Sequence, residues 1–77
     1  MEKRASQRHR VSRVGTIEFD GSAINCVVRN LSNTGARLDV ASPAEIADHF
    51  TLMLEEGHHT ACRTVWRKEN RIGVTFE

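Results

Sequence analysis

The chain of 77 residues is poor in several residue types, and each shortage excludes a class of protein. It has only two cysteines, Cys26 and Cys62, and its basic N-terminus is not followed by the apolar stretch of a signal peptide. We therefore expect reduced thiols in a core rather than a disulfide or a metal site. No apolar run approaches the ~20 residues that a membrane span needs. These absences predict one small cytoplasmic domain without a membrane span.

Groups that could perform catalysis or bind a metal are equally scarce. The acidic residues are scattered along the chain, and no spacing suggests a Ser–His–acid or Cys–His grouping. No glycine-rich phosphate loop opens a helix. His58 and His59 are adjacent, and adjacent side chains of an extended chain point in opposite directions, so they make a poor metal clamp. We therefore expect a binding protein that is not an enzyme and that has no metal or cofactor.

Charged residues are plentiful, but the basic and acidic ones are distributed unevenly along the chain. Residues 1–13 contain five basic residues and one acidic residue, a net charge of +4, whereas residues 14–77 contain six basic and nine acidic residues, a net charge of −3. The basic segment has almost no apolar anchors to offset its chain entropy. We therefore predict a flexible Arg-rich arm at 1–13 that binds an anionic partner, followed by a folded domain at 14–77.

Apolar and polar residues alternate in the folded domain, which predicts short strands. A hairpin turn signal, Asp20-Gly21, separates the first two. In the second strand, Val27 and Leu31 fall on the face opposite Cys26. The predicted strands contain, in order, Ile17 and Phe19; Ile24, Cys26 and Val28; Ala36, Leu38 and Val40; Phe50, Leu52 and Leu54; residues 59–68; and Ile72, Val74 and Phe76. This spacing favours an all-β fold, a small six-stranded antiparallel β-barrel whose closure removes exposed strand edges.

One segment, Ser42-Pro43-Ala44-Glu45, breaks the alternation. Serine is a favoured N-cap, proline suits the first helical position, and glutamate suits the third. The segment therefore predicts one short helical turn near 43–48, between the third and fourth strands.

Two motifs carry the candidate binding chemistry. In the arm, "KRASQRHR" places Arg4 and Arg8 four positions apart. Guanidinium groups form forked hydrogen bonds with phosphate and with the O6/N7 edge of guanine, and they stack on bases. The alternative is a solvated basic tail, or a segment that contacts a membrane surface or RNA. The second motif, "NLSNTG" at residues 30–35, has more small polar residues than the one or two that a connecting turn needs.

Together with the strand pattern, these motifs resemble the PilZ domain family. In that family R-x-x-x-R is followed about twenty to thirty residues later by D/N-x-S-x-x-G, and here Arg8 and Asn30 are 22 positions apart. The closing "CRTVWRKENRIGVTFE" is similar to the last hairpin of the family. The resemblance covers nearly the whole chain. It implies a receptor for the bacterial second messenger cyclic di-GMP, built on a six-stranded antiparallel barrel.

The resemblance also implies roles for the motif residues. Arg4 and Arg8 would stack on guanine and bind its Hoogsteen edge and the phosphates. Asn30, Ser32 and Gly35 would line the barrel side of the site. These three are the positions that we expect a turn alone not to require.

The chemistry of the second motif suits such a surface. An amide can meet a base edge, a hydroxyl can donate or accept, and glycine permits a positive φ and a close backbone approach. Asparagine replaces the aspartate found in other members, and a carboxylate would bind guanine donors more strongly. Leu31, which points opposite to its neighbours, would fill the core.

Further candidates flank the motifs. Lys3 stands where many family members have arginine, and lysine neither stacks nor forks as arginine does. Arg10 and Arg13 could add phosphate contacts or simply be exposed. Arg37 could reach the ligand or serve as a cross-strand partner. Trp66 could pack in the core or at the rim, or flank a guanine.

The predicted mechanism is an order transition, in which the arm folds over the barrel when the ligand supplies phosphates and guanines. The resulting surface would contact a downstream protein in trans. One alternative is a PilZ-fold interaction module that has lost nucleotide binding. A less favoured alternative is a small single-stranded RNA-binding barrel, which needs aromatic platforms. Because Phe19, Phe50 and Phe76 fall on core positions of the alternation, we expect no DNA or RNA partner.

Overall fold

The computed structural model describes the backbone of residues 9–54 and 57–77, and side chains from Val11 onward within those ranges. It forms a closed barrel of six antiparallel strands, which confirms the predicted fold class. The strands are β1 (His9–Phe19), β2 (Ser22–Leu31), β3 (Gly35–Asp39), β4 (His49–Leu54), β5 (His59–Lys68) and β6 (Arg71–Phe76). No helix in the described part of the chain is long and apolar enough to cross a membrane.

The barrel closes because the first and fourth strands pair. The spatial order is β1-β2-β3-β6-β5-β4, and Gly15–Glu18 of β1 pair with Leu54–Thr51 of β4. The predicted hairpin turn between β1 and β2 is present, with positive φ at both Asp20 (49°) and Gly21 (80°). Two consecutive positive φ values match the right-handed twist of the strands that the turn joins.

The core consists of the inward-facing residues of all six strands together with Val40 and Ile46. Phe50 is buried, and Phe19 and Phe76 pack partly buried against the core, as their place in the alternation predicts. Cys26 and Cys62 are buried free thiols, as expected, and burial is the main cause that raises the pKa of each to about 11. The buried core comprises Ile17, Cys26, Val28, Leu38, Val40, Ile46, Phe50, Leu52, Cys62, Ile72 and Val74.

The boundary between arm and barrel differs from the prediction. β1 begins at His9, and its first residues pair with β2, since His9 lies opposite Leu31, Arg10 opposite Asn30 and Arg13 opposite Val28. Residues 9–13 are therefore strand rather than arm, because β2 is long enough to provide backbone partners for them. Lys3, Arg4 and Arg8 lie outside the described residues.

The helical turn is shorter than predicted. It is a 3-10 turn at Pro43–Glu45, and Ser42 caps it through its carbonyl oxygen, which accepts a hydrogen bond from Glu45 N–H at 3.0 Å, rather than through its side chain. The next residue, Ile46, is extended and buried in the core. Core packing of Ile46 therefore ends the turn. Arg67 fixes this ending by donating hydrogen bonds to the carbonyl oxygens of Pro43 and Ile46, both at 2.9 Å.

Candidate functional site

An open groove of about 390 Å³ lies on the outer surface of β2, β3, β5 and β6. We call it the groove throughout. Asn30, Leu31, Ser32, Thr34, Gly35, Ala36, Arg37, Val65, Trp66, Gly73, Val74 and Thr75 line it. The second sequence motif therefore forms one side of the groove, and the last hairpin forms the other.

A β-bulge in β2 places Asn30 in the groove. Val28 lies opposite Leu38 and Asn30 lies opposite Arg37, so that Arg29 is an extra residue without its own partner on β3. Such a bulge shifts the alternation of side chains beyond it. As a result Leu31 packs against the core. Strict alternation put Leu31 on the face opposite Cys26, and that prediction was wrong. The other prediction for Leu31, that it fills the core, is confirmed.

A second bulge, in β5, places Trp66. Thr64 lies opposite Val74 and Trp66 lies opposite Gly73, which leaves Val65 as the extra residue. Val65 and Trp66 are 59% and 42% exposed, and with Val14 they are the exposed large hydrophobic residues of the described part of the chain. Trp66 is thus a rim residue of the groove and not a core residue.

The two bulges bring four residues into one row across four strands. Asn30 of β2 lies opposite Arg37 of β3, Arg37 lies opposite Gly73 of β6, and Gly73 lies opposite Trp66 of β5. Residues directly opposite each other project from the same face of a sheet. Gly73 has no side chain, and a Cβ there would clash with the indole of Trp66. The indole therefore lies over Gly73, and the row presents an amide, a guanidinium group and an indole.

The turn between Ser32 and Gly35 has a structural explanation of its own. The Ser32 hydroxyl oxygen accepts hydrogen bonds from the backbone N–H groups of Thr34 (3.3 Å) and Gly35 (3.2 Å), and Ser32 N–H donates to the carbonyl oxygen of Gly35 (3.0 Å). The carbonyl oxygen of Thr34 accepts from Phe76 N–H (2.8 Å) and from the Thr75 hydroxyl (3.1 Å), which fixes the turn to β6.

Gly35 is required by close approach to β6. A Cβ at this position would clash with the carbonyl oxygen of Val74, and the φ of Gly35 is not in the left-handed region. The expectation that a turn alone does not require Ser32 and Gly35 is therefore wrong: the turn and its packing account for both. Of the three candidate residues Asn30, Ser32 and Gly35, Asn30 is the one that this turn does not explain.

The structure brings together five of the residues singled out from the sequence, namely Asn30, Ser32, Gly35, Arg37 and Trp66. Arg13 is half-buried in β1 and does not line the groove, and Arg10 lies on β1 with its backbone opposite Asn30. Sequence reasoning missed Val65 and Gly73. A glycine inside an alternating strand often marks a close approach of another group, so Gly73 carried a usable signal.

Fold and site together define a small closed β-barrel with an outer groove lined by polar, aromatic and cationic side chains. The family model of the PilZ domain matches residues 2–77, and the chain belongs to the PilZ domain family. The family is one of cyclic di-GMP receptors that are in general non-catalytic. A comparison with curated protein sequences finds no match.

Proposed function

We propose that this protein is a non-catalytic cytoplasmic receptor that binds cyclic di-GMP against the groove. One observation carries the proposal: in a chain of the PilZ domain family, Asn30 of the second motif lies in the same cross-strand row as Arg37 and Trp66. An amide that can meet a base edge, a guanidinium group and an aromatic surface are the groups that recognise a nucleotide. The ligand is the only small molecule required, and no cofactor takes part.

On the barrel side, Asn30 contacts a guanine edge directly. Ser32 and Gly35 line the ligand as part of the turn, and the two hydrogen bonds that the Ser32 hydroxyl accepts keep this surface in place before the ligand arrives. Trp66 flanks a guanine, and by analogy with other base–aromatic contacts its stacking contributes about 1–3 kcal/mol.

On the arm side, Arg4 and Arg8 supply the guanidinium groups that stack on guanine and bind phosphate. Lys3 of the arm and Arg10 and Arg13 of β1 add positive charge near the phosphates. The path of β1 supports this arrangement, since the backbone of His9, the residue after Arg8, lies opposite Leu31 at the edge of the groove. Ligand binding orders the arm across the barrel, and the combined surface contacts a downstream protein in trans.

Isothermal titration with cyclic di-GMP tests the proposal. Wild type should bind, and Arg4→Ala and Arg8→Ala should each weaken binding at least about 10-fold, because each variant loses charge-assisted hydrogen bonds. The melting temperature of the ligand-free protein should not change, since the described core is built from apolar side chains alone. Trp66 fluorescence should report the same titration.

Two further titrations separate the alternatives. GMP and a short single-stranded RNA should bind much more weakly than cyclic di-GMP. Failure of wild type to bind any of the three would favour an interaction module that works through protein partners alone. Preference for the RNA would favour an RNA-binding barrel. Equal binding of cyclic di-GMP by wild type and both arm variants would show that the arm assignment is wrong.

A further inference from the structure

Arg37 differs from the other arginines whose contacts the structure describes. Arg29, Arg67 and Arg63 each face a carboxylate, at 2.9 Å from Asp39, 2.7 Å from Asp48 and 3.8 Å from Glu77, respectively. Arg37 has no ion pair or hydrogen bond with any described residue, although it is half-buried. Its Nε is the one buried side-chain nitrogen or oxygen atom without a hydrogen-bond partner in the described part of the chain.

Such an arrangement opposes folding. A buried N–H without an acceptor loses its hydrogen bond to water and gains none in return, and a half-buried charge without a counter-ion loses part of its hydration. Buried polar groups in native proteins are nearly always satisfied, so an exception needs a reason. A guanidinium group that turns toward a ligand in the groove, and there finds the acceptor it lacks, provides one.

The groove has the charge that an anionic ligand requires. Arg37 is the single ionisable side chain among the described residues that line it, and no carboxylate accompanies it there. Its position in the row puts Asn30 one strand away on one side and Trp66 two strands away on the other. Neighbouring strands are about 4.8 Å apart. A nucleotide that contacts Asn30 or Trp66 through its base therefore has its phosphates within reach of the Arg37 guanidinium group.

We propose that Arg37 is an anion-binding residue of the groove itself, and that its guanidinium group binds a phosphate of the nucleotide. This inference rests on the proposed function and extends it: the barrel holds a cation of its own for the ligand, in addition to those on the arm. The ligand's phosphate oxygens accept the hydrogen bonds that Arg37 lacks in the ligand-free protein, and charge-assisted forks of this kind are the strongest that side chains form.

Three variants test the role of Arg37. Arg37→Met keeps most of the aliphatic stem and removes the charge and the donors, and Arg37→Lys keeps the charge without the fork. Arg71→Met is the matched control, because Arg71 is exposed and does not line the groove. In titrations with cyclic di-GMP, Arg37→Met should bind roughly 10- to 100-fold more weakly than wild type. Arg37→Lys should lie between them, and Arg71→Met should stay within about 2-fold of wild type.

Thermal melting without ligand gives an independent measurement. A structural arginine would lower the melting temperature when removed, whereas Arg37→Met should melt at or above the wild-type temperature, since the group removed has no partner. If wild type binds cyclic di-GMP and Arg37→Met binds it as tightly as Arg71→Met does, the inference is overturned and the proposed function remains intact. A lower melting temperature of Arg37→Met would also contradict it. Absence of cyclic di-GMP binding by wild type would overturn both.

Discussion

At the scale of single residues, Gly73 links the barrel to the groove. It lies on β6 with buried core residues, Ile72 and Val74, on either side, and its outer face is covered by the indole of Trp66. A side chain at this position would lift the indole off the sheet. The missing Cβ therefore decides whether Trp66 forms a flat wall of the groove, although glycine in a strand weakens the strand itself by roughly 0.5–1 kcal/mol relative to alanine.

Gly73→Ala should consequently destabilise the barrel and displace Trp66. The clash with the indole should lower the free energy of unfolding by about 1–3 kcal/mol, as overpacking does, and Trp66 fluorescence should shift to the red as the ring meets more water. Denaturant unfolding measures the first effect. In a Trp66→Ala background the same glycine substitution should be neutral or stabilising, because the clash is gone. A loss of stability in that background as large as in wild type would mean that the indole is not what restricts position 73.

At the scale of strands, the alternation of side chains is informative only until a bulge interrupts it. The six strands and the Asp20-Gly21 turn could be predicted, because period-two alternation and turn residues are local properties. The bulges at Arg29 and Val65 could not, because the number of residues opposite a partner strand depends on that partner. Asn30 and Trp66 owe their common face to those bulges. The sequence could therefore name residues of the site without showing how they meet.

The first bulge is held by a link across three strands. Arg29 Nε donates to Asp39 Oδ2 on β3 at 2.9 Å, and Arg29 Nη1 donates to the Ser12 hydroxyl on β1 at 3.4 Å. The ion pair is partly exposed, at 46% and 35% for the two side chains. Solvent screening limits the worth of such a pair to about 0–1 kcal/mol. We therefore expect a local effect: the pair should keep the bulged residue on the outer face and so support the orientation of Asn30.

Asp39→Asn should lower the free energy of unfolding by less than about 1 kcal/mol and increase hydrogen exchange at residues 28–31. Asp48→Asn is the matched control, because it removes the same charge from the partner of Arg67, away from the bulge. The control should leave exchange at 28–31 at its wild-type rate. Equal exchange in the two variants would show that the ion pair does not hold the bulge. Amide exchange followed by NMR makes the comparison residue by residue.

At the scale of the whole molecule, the scarcity of tyrosine and lysine leaves the two cysteines as the main groups that titrate in alkali. The chain has no tyrosine, and its only lysines are Lys3 and Lys68, so few groups besides the thiols titrate between pH 9 and 11. Cys26 and Cys62 both lie in the core, and burial raises the pKa of each from 9.0 to about 11. The core thus contains two acids that keep their protons to a higher pH in the folded barrel than in the unfolded chain.

The free energy of unfolding should therefore fall as the pH rises above about 9. Between pH 9 and 11 the unfolded chain has lost its thiol protons and the folded chain retains them, so the unfolded state binds fewer protons and gains stability as the pH rises. Each thiol contributes up to about 1.4 kcal/mol per pH unit in this window. Denaturant unfolding under reducing conditions at pH 7, 9 and 10 measures the slope.

Cys26→Ala and Cys62→Ala should each lower stability at pH 7, because each leaves a cavity. Each should also flatten the alkaline slope, and a double variant that keeps the full slope would show that other groups cause it.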